Sequence, residues 1–124
     1  MKHINLSSLG HTWILDLDGT LLKHNGYLLD KKDSFLEGAK EFLKSIPKDD
    51  MIVFLTSRNK DMKRQTEEFL FENGVRYDHI IFEAPYGERI LINDQKPSGL
   101  KTAVALNPER DRFLKMKIGV DDSL

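Results

Sequence analysis

The sequence predicts an α/β fold in which residues 1–124 form a single domain, with a mostly parallel central sheet between layers of helices. Strand-length apolar runs alternate with segments whose apolar residues recur at helical spacing, and such alternation is typical of parallel strands joined by right-handed crossovers. A chain of 124 residues is long enough for one core and too short for a second, substrate-binding domain. We therefore expect a three-layer fold without a separate substrate-binding domain.

Composition and charge favour a cytoplasmic protein that binds neither nucleic acid nor membranes. Nineteen basic and twenty acidic residues give a formal net charge of −1, so no global field attracts a polyanion. The apolar runs are too short to span a bilayer, and the amino-terminal segment lacks the apolar core and cleavage site of a signal peptide. The absence of cysteine excludes disulfides and thiolate zinc sites within this sequence.

The first predicted strand, Thr12–Leu15, is a short apolar run that ends at Asp16. Gly19 follows within the sequence DLDGT, so we expect a tight turn directly after the strand. Residues 21–30 have apolar flanks around an Asn-Gly pair, which predicts a hairpin with Asn25 and Gly26 at its tip. We interpret this hairpin as a short flap.

The next segment predicts a helix from Ser34 to Ile46, because its apolar residues recur at helical spacing and Ser34 and Glu37 form a capping-box pattern. The apolar positions are Phe35, Leu36, Ala39, Phe42, Leu43 and Ile46, and Pro47 follows them. The unbroken run Met51–Leu55 then predicts a strand that is buried on both faces and ends at Thr56.

A second helix is predicted from about Asn59 to Glu72, with Asn73 and Gly74 as its stop signal. Three further apolar runs, at residues 79–82, 90–92 and 102–106, predict strands. Asn93 and Asp94 follow the run at 90–92 directly.

Three of the predicted strands end at polar residues: Asp16, Thr56 and Asp94. Parallel sheets bind ligands outside the carboxyl ends of their strands, so we expect these side chains to share one crevice. Asp16 and Asp18 supply two carboxylates one residue apart, and Asp94 adds a third. Such an oxygen-rich set is typical of Mg²⁺, which takes few protein ligands and keeps water or phosphate oxygens in its other positions.

The motifs DLDGT after one strand, VFLTS at the end of another and LIND at the end of a third resemble those of the haloacid dehalogenase superfamily. The resemblance covers most of the chain and implies a Rossmann-like fold with magnesium-dependent phosphatase activity. Neither position at which relatives insert a cap domain has room for one, so the chain resembles the small capless phosphatases. An uncapped site suits a large phosphorylated substrate or closure by a neighbouring subunit in a homo-oligomer.

The resemblance implies that Asp16 is the nucleophile and forms an aspartyl-phosphate, while Asp18 protonates the leaving oxygen and then deprotonates the attacking water. Asp16, Asp94 and the backbone carbonyl of Asp18 would bind the magnesium ion. The residues expected to contact the phosphorylated substrate are Thr56, Ser57 and Arg58.

The chain departs from the family pattern in one motif. Relatives carry a lysine just before or near the acidic motif, and the corresponding segment here, EAPYGER, contains none. We expect Lys96 to supply the catalytic cation, with Lys60 or Arg58 as alternatives. The segment NDQKPSGLKTAVALN resembles small phosphatases of capsule or surface-polysaccharide pathways, which makes a sugar phosphate the expected substrate.

Simpler explanations exist for the same residues. Asp16 and Asp18 suit turns, Thr56 suits a helix cap, and Lys96 suits a solvated loop. A degenerate family member would bind a phosphorylated ligand without turnover, and a phosphotransferase would pass the phosphoryl group to a second substrate. A receiver-type signalling domain is disfavoured, because adjacent acidic residues are expected at its first strand.

Overall fold

The computed structural model describes residues 2–113 and 116–124, and these form two compact units. The larger unit comprises residues 10–85 and 108–113, and the smaller unit comprises residues 2–9, 86–107 and 116–124. Each unit contains a parallel sheet, so the predicted combination of helices with parallel strands is confirmed. The single-domain organisation and the three-layer arrangement stay predictions.

Nine helices and strands occur in the described residues. In chain order they are β1 (Lys2–Leu6), β2 (Thr12–Leu15), α1 (Gly26–Leu29), α2 (Ala39–Ser45), β3 (Met51–Leu55), a 3₁₀ helix (Lys60–Met62), α3 (Lys63–Glu72), β4 (His79–Ile81) and β5 (Met116–Val120). None of these helices has the length and apolar character needed to cross a membrane.

The larger unit contains a three-stranded parallel sheet with β3 between β2 and β4. Ile14 pairs with Val53 on one side of β3, and Phe54 pairs with Ile80 on the other. All three strands were predicted from their apolar runs. Because the strands are parallel, their carboxyl ends lie at one edge of the sheet, where the predicted polar residues begin.

The predicted helix from Asn59 to Glu72 is confirmed as the 3₁₀ helix followed by α3. Asn59 caps its first turn, since the side-chain Oδ1 accepts a hydrogen bond from the Asp61 N–H at 2.8 Å. The helix ends at Glu72 with Asn73 as its C-cap, and Gly74 follows with a left-handed φ of 67°, as expected at a helix stop.

The core of this unit lies between the sheet and its helices. Trp13 of β2 packs edge-on against Phe42 of α2, with ring centroids 5.5 Å apart. The buried apolar side chains are Leu17, Leu21, Leu22, Ala39, Leu43, Ile46, Ile52, Phe54, Leu70 and Val75. Trp13 and the phenylalanines at helical spacing therefore serve as core residues, as the sequence indicated.

The prediction that β3 is buried on both faces is wrong. Ile52 and Phe54 are buried, whereas Met51 is 42% exposed and the neighbouring strands expose Ile14 and Ile81 on the sheet. Successive residues of a strand point to opposite faces, so only alternate side chains of β3 reach the helices. An unbroken apolar run is therefore compatible with a strand that buries one face as well as with a strand that buries both.

The predicted Asn-Gly hairpin is also wrong, although its flanks do pair. Leu22 forms an antiparallel bridge with Phe35, and the Lys23 N–H donates to the Ser34 carbonyl at 3.0 Å. Between these flanks Asn25 and Gly26 begin α1 instead of a two-residue turn. Asn25 has a φ of 56°, but Gly26 has no positive φ, which the expected turn requires at both positions.

The first long helix begins at Ala39, five residues later than predicted. The Ser34 carbonyl is engaged by Lys23, so this part of the predicted helix pairs with the preceding segment instead. Gly38 then adopts a left-handed φ of 85° immediately before the helix. The capping-box pattern of Ser34 and Glu37 was overridden by this longer-range pairing.

In the smaller unit, β1 and β5 form a parallel pair in which Ile4 lies opposite Ile118. Neither strand was predicted, although both sequences, KHINL and MKIGV, alternate in polarity as half-buried strands do.

The strands predicted at residues 90–92 and 102–106 are absent from the described structure of the smaller unit. Ile90 and Ile92 are 83% and 91% exposed. Three apolar residues do not make a strand without a pairing partner, and this run has none within the smaller unit's sheet. Residues 96–99 form a turn instead, with the Gly99 N–H donating to the Lys96 carbonyl at 2.8 Å.

Asp50 joins the starts of β2 and β3. Its carboxylate accepts hydrogen bonds from the His11 N–H at 3.1 Å and from the Trp13 indole N–H at 3.0 Å. Burial alone would raise the pKa of Asp50, but these two hydrogen bonds and the nearby His11 ring outweigh it, and the pKa is lowered. The ionised form of Asp50 therefore stabilises the fold.

We predict that Asp50→Ala lowers the free energy of unfolding by about 1–3 kcal/mol, because two partly buried donors lose their acceptor. Chemical denaturation at neutral pH measures this loss. Asp49→Ala, which removes an exposed carboxylate next in sequence, is the matched control and should change stability by less than about 0.5 kcal/mol.

The loss of stability caused by Asp50→Ala should be large at neutral pH and should shrink in acid. The pKa of Asp50 in the fold lies below its ordinary value of 3.8, so its stabilisation is present above that value and is lost as pH falls through the folded pKa. The stabilities of variant and wild type should therefore converge in acid. A deficit that stays constant throughout an acid titration would contradict the assignment.

Candidate active site at the carboxyl ends of the parallel strands

The DLDGT loop begins directly after β2 and is held by one buried leucine. Leu17, between the two aspartates, is fully buried, and its carbonyl accepts hydrogen bonds from three N–H groups. The donors are Thr20 at 3.2 Å, Leu21 at 2.9 Å and Leu22 at 2.9 Å. Asp16 and Asp18 flank this anchor and are both partly accessible to solvent. The Thr20 hydroxyl lies 3.5 Å from Oδ2 of Asp16.

Thr56 begins the loop after β3 and is almost completely buried, with 1% of its surface exposed. Its N–H donates to the Ile81 carbonyl of β4 at 2.9 Å, and its hydroxyl oxygen accepts from the Arg58 N–H at 3.1 Å. Thr56 does not cap the following helix, because Asn59 does so. The next residue, Ser57, is partly exposed, and its hydroxyl lies 3.4 Å from the Pro85 carbonyl.

The Arg58 guanidinium joins the loops that follow β2 and β3. Nε and Nη2 donate to the two carboxylate oxygens of Asp18 at 2.9 and 2.8 Å. Nη1 and Nη2 donate to the two carboxylate oxygens of Asp33 at 3.0 and 2.7 Å. Nη1 also donates to the Thr66 hydroxyl of α3 at 2.9 Å. All five N–H groups of the guanidinium are therefore used.

Burial and charge act in opposite directions on Arg58. Its side chain is 1% exposed, and burial alone would lower its pKa, but the hydrogen bonds and charges of Asp18 and Asp33 outweigh burial and raise the pKa. The Tyr27 ring adds a cation–π contact, with the guanidinium carbon 5.1 Å from the ring centroid. Arg58 is thus a permanently charged group at the centre of a buried cluster.

The Asp18–Arg58 ion pair confirms that the loops after β2 and β3 meet, as the parallel arrangement predicted. The role of Arg58 in substrate binding stays a prediction, and it requires at least one of these hydrogen bonds to break. Sequence reasoning missed Asp33, which lies in a charged segment without a motif. Thr66 did carry a signal, since it is a polar residue on the apolar side of the predicted α3.

A second segment that sequence reasoning missed, residues 108–113, contacts the DLDGT loop. The Asp111 N–H donates to the Gly19 carbonyl at 2.8 Å, and the Asp111 carboxylate accepts from the His24 N–H at 2.7 Å. Arg110 lies against Gly19, which has a φ of 83°. Arg110 is therefore a basic side chain next to the loop that carries both aspartates.

The remaining predicted residues belong to the smaller unit or have other contacts. Asp94 and Lys96 are exposed residues of the smaller unit, where the Thr102 hydroxyl donates to the Asp94 carbonyl. Lys60 is 75% exposed and lies 3.7 Å from Glu83. The contribution of Lys96 or Lys60 as a catalytic cation stays a prediction.

Magnesium binding by Asp16, Asp18 and Asp94 also stays a prediction. Among residues 2–113 and 116–124, no three or more His, Asp or Glu side chains are grouped as a metal site. Magnesium commonly takes only one or two carboxylates and completes its shell with water and phosphate oxygens, so Asp16 fits this chemistry. The Asp18 carboxylate is engaged by Arg58, which leaves the backbone carbonyl as the ligand that the resemblance implies.

Comparisons of this chain with protein-family models, with curated proteins and with solved structures found no match. The resemblance to the haloacid dehalogenase superfamily therefore rests on the three motifs and stays a prediction.

We predict that Gly19→Ala destabilises the protein by about 1–2 kcal/mol, because a side chain is strained at this left-handed φ. A Cβ at residue 19 would also lie 3.1 Å from Cγ of Arg110. Thermal or urea denaturation measures the loss. Gly10→Ala is the control, since no atom lies within 4 Å of its added Cβ, and equal losses in the two variants would refute the explanation.

Proposed function

We propose that this protein is a magnesium-dependent phosphomonoester hydrolase of the haloacid dehalogenase superfamily, with the three-layer Rossmann-like fold of its capless members. The observation that carries the proposal is the meeting of two loops: the DLDGT loop after β2 and the Thr56 loop after β3 are joined through Arg58. This arrangement supports a nucleophilic carboxylate, an acid–base carboxylate and phosphate-binding groups at one edge of a parallel sheet.

In the first step, a carboxylate oxygen of Asp16 attacks phosphorus, and the bond from phosphorus to the ester oxygen breaks. The Asp18 carboxyl group gives its proton to that leaving oxygen, which departs as an alcohol. In the second step, water attacks the aspartyl-phosphate and gives a proton to Asp18. The phosphorus–Asp16 bond breaks, so inorganic phosphate leaves and both carboxyl groups return to their starting state.

Magnesium would be held by Asp16, the Asp18 carbonyl and Asp94, and when bound it neutralises phosphate charge that repels a carboxylate nucleophile. The Thr56 hydroxyl would donate its hydrogen to a phosphoryl oxygen, while its oxygen accepts the Arg58 N–H. Ser57, partly exposed in the same loop, would contact the substrate as well.

The proposed substrate is a phosphomonoester, with a sugar phosphate or surface-polysaccharide precursor as the specific proposal. The NDQKPSGLKTAVALN segment supports the sugar phosphate, and an uncapped site suits the phosphorylated end of a larger precursor. A homo-oligomer in which a neighbouring subunit covers the site belongs to the same proposal. Transfer of the phosphoryl group to an alcohol instead of water would use the same intermediate.

Phosphate binding without turnover is the second candidate, and one observation favours it. The five Arg58 donors are saturated, and Lys60 is exposed beside Glu83, so neither of these two residues is placed to stabilise an aspartyl-phosphate in this conformation.

We predict that wild-type protein releases inorganic phosphate from phosphomonoesters only with magnesium, and that Asp16→Asn abolishes this release. The amide cannot act as the carboxylate nucleophile, so the rate should fall at least about 10³-fold. Phosphate release across a panel of sugar, nucleotide and aryl phosphates measures turnover. Asp49→Asn, an exposed acid-to-amide change, is the control and should retain the wild-type rate.

Retention of wild-type turnover by Asp16→Asn would eliminate the nucleophile assignment. Phosphate binding by calorimetry without turnover on any substrate would instead support the second candidate.

We predict that Lys96→Ala lowers kcat by about tenfold or more with little loss of stability, because it removes the cation proposed to stabilise transferring charge. Lys101→Ala, a nearby exposed lysine of the same unit, is the matched control and should be neutral. The same assay with kcat and KM determined separately measures the effect. If Lys96→Ala is as active as Lys101→Ala, the cation must come from another residue.

A further inference from the structure

The Asp18 carboxylate has one defined orientation. Its two oxygens accept parallel hydrogen bonds from Nε and Nη2 of Arg58, the fork geometry that fixes the plane of a carboxylate. The side chain of Asp18 is nevertheless 21% exposed, whereas that of Arg58 is 1% exposed. Arg58 therefore binds both carboxylate oxygens of Asp18, while part of the Asp18 side chain stays exposed to solvent.

Arg58 is itself fixed from its opposite edge. Asp33, with 4% of its side chain exposed, accepts from both Nη1 and Nη2, and the Thr66 hydroxyl accepts from Nη1. The guanidinium cannot rotate without breaking at least two of these hydrogen bonds. The orientation of Asp18 thus depends on Asp33 through the guanidinium that binds both carboxylates.

We propose that Arg58 and Asp33 are positioning residues that hold the Asp18 carboxyl group for proton transfer to and from the reacting oxygens. This inference rests on the phosphatase function proposed above. A general acid must lie within hydrogen-bond reach of the leaving oxygen, and a carboxyl group held in place does not lose rotational freedom when it reacts. In this role Arg58 and Asp33 act through Asp18, and neither needs to contact the substrate.

The test compares two substrates that differ in their need for an acid. The leaving oxygen of p-nitrophenyl phosphate is stable without a proton, whereas an alkyl phosphate such as glycerol phosphate needs one. We expect Arg58→Lys and Asp33→Asn to lower kcat at least about tenfold more for the alkyl phosphate than for the aryl phosphate, in the same direction as Asp18→Asn. The ratio of the two kcat values does not depend on the folded fraction, so partial unfolding of a variant cannot produce the effect.

Two comparisons complete the design. Asp30→Asn, which removes the partner of Lys23 in an exposed ion pair of 2.9 Å, should leave the ratio unchanged. The double variant Asp18→Asn/Asp33→Asn should have the same ratio of alkyl-phosphate to aryl-phosphate kcat as Asp18→Asn alone, because Asp33 then has no acid to position.

The outcomes separate this inference from the function on which it rests. An active wild type whose Arg58→Lys and Asp33→Asn variants lose both activities by the same factor would show that the cluster is merely structural, and only the positioning role would fall. A wild type that hydrolyses neither substrate with magnesium would overturn the phosphatase proposal and this inference together.

Discussion

The ion cluster of Asp18, Arg58 and Asp33 is the constraint on which the rest of the larger unit's site depends. It connects the loop after β2, the segment before α2, the loop after β3 and, through Thr66, the helix α3. Breaking a buried ion pair by removing one partner typically costs about 3–5 kcal/mol, because the other charge is left buried and unpaired. A substitution of Arg58 would therefore affect all four segments.

The two ends of the β2–β3 pair are stabilised in related ways. At the starts of the strands, Asp50 accepts hydrogen bonds from His11 and Trp13, and at their ends Arg58 joins Asp18 to the loop after β3. The Ile81 carbonyl of β4 accepts a hydrogen bond from the Thr56 N–H, so the end of β4 is joined to the loop after β3 as well. The candidate site is therefore formed on a sheet whose strand positions are set at both ends by charged side chains.

Local sequence patterns predicted the strands and the helix that depend mainly on interactions between residues close in sequence. Unbroken apolar runs located β2, β3 and β4, and apolar spacing with Asn59 and Gly74 located the helical residues 60–72. The polar residues after β2 and β3 were expected at one sheet edge because parallel strands place their carboxyl ends together. The Asp18–Arg58 contact bears out that part of the reasoning.

The failures concern features that depend on residues distant in sequence. Pairing of Ser34 with Lys23 displaced a well-formed capping pattern, and the apolar run at 90–92 forms no strand in the smaller unit's sheet. Asp33 lies 25 residues before Arg58, a separation that no helical or strand period marks. The same is true of residues 108–113, whose contact with Gly19 leaves no trace in the sequence.

The ion cluster also has a consequence for synthesis of the chain. Proteins leave the ribosome from the amino terminus, so Asp18 and Asp33 emerge as carboxylates before the cation that joins them, 40 and 25 residues later. The cluster closes only after Arg58, and then Thr66, has followed. During translation β2 therefore emerges well before the residue that fixes Asp18, and the candidate site is assembled only once β3 and the start of α3 are available.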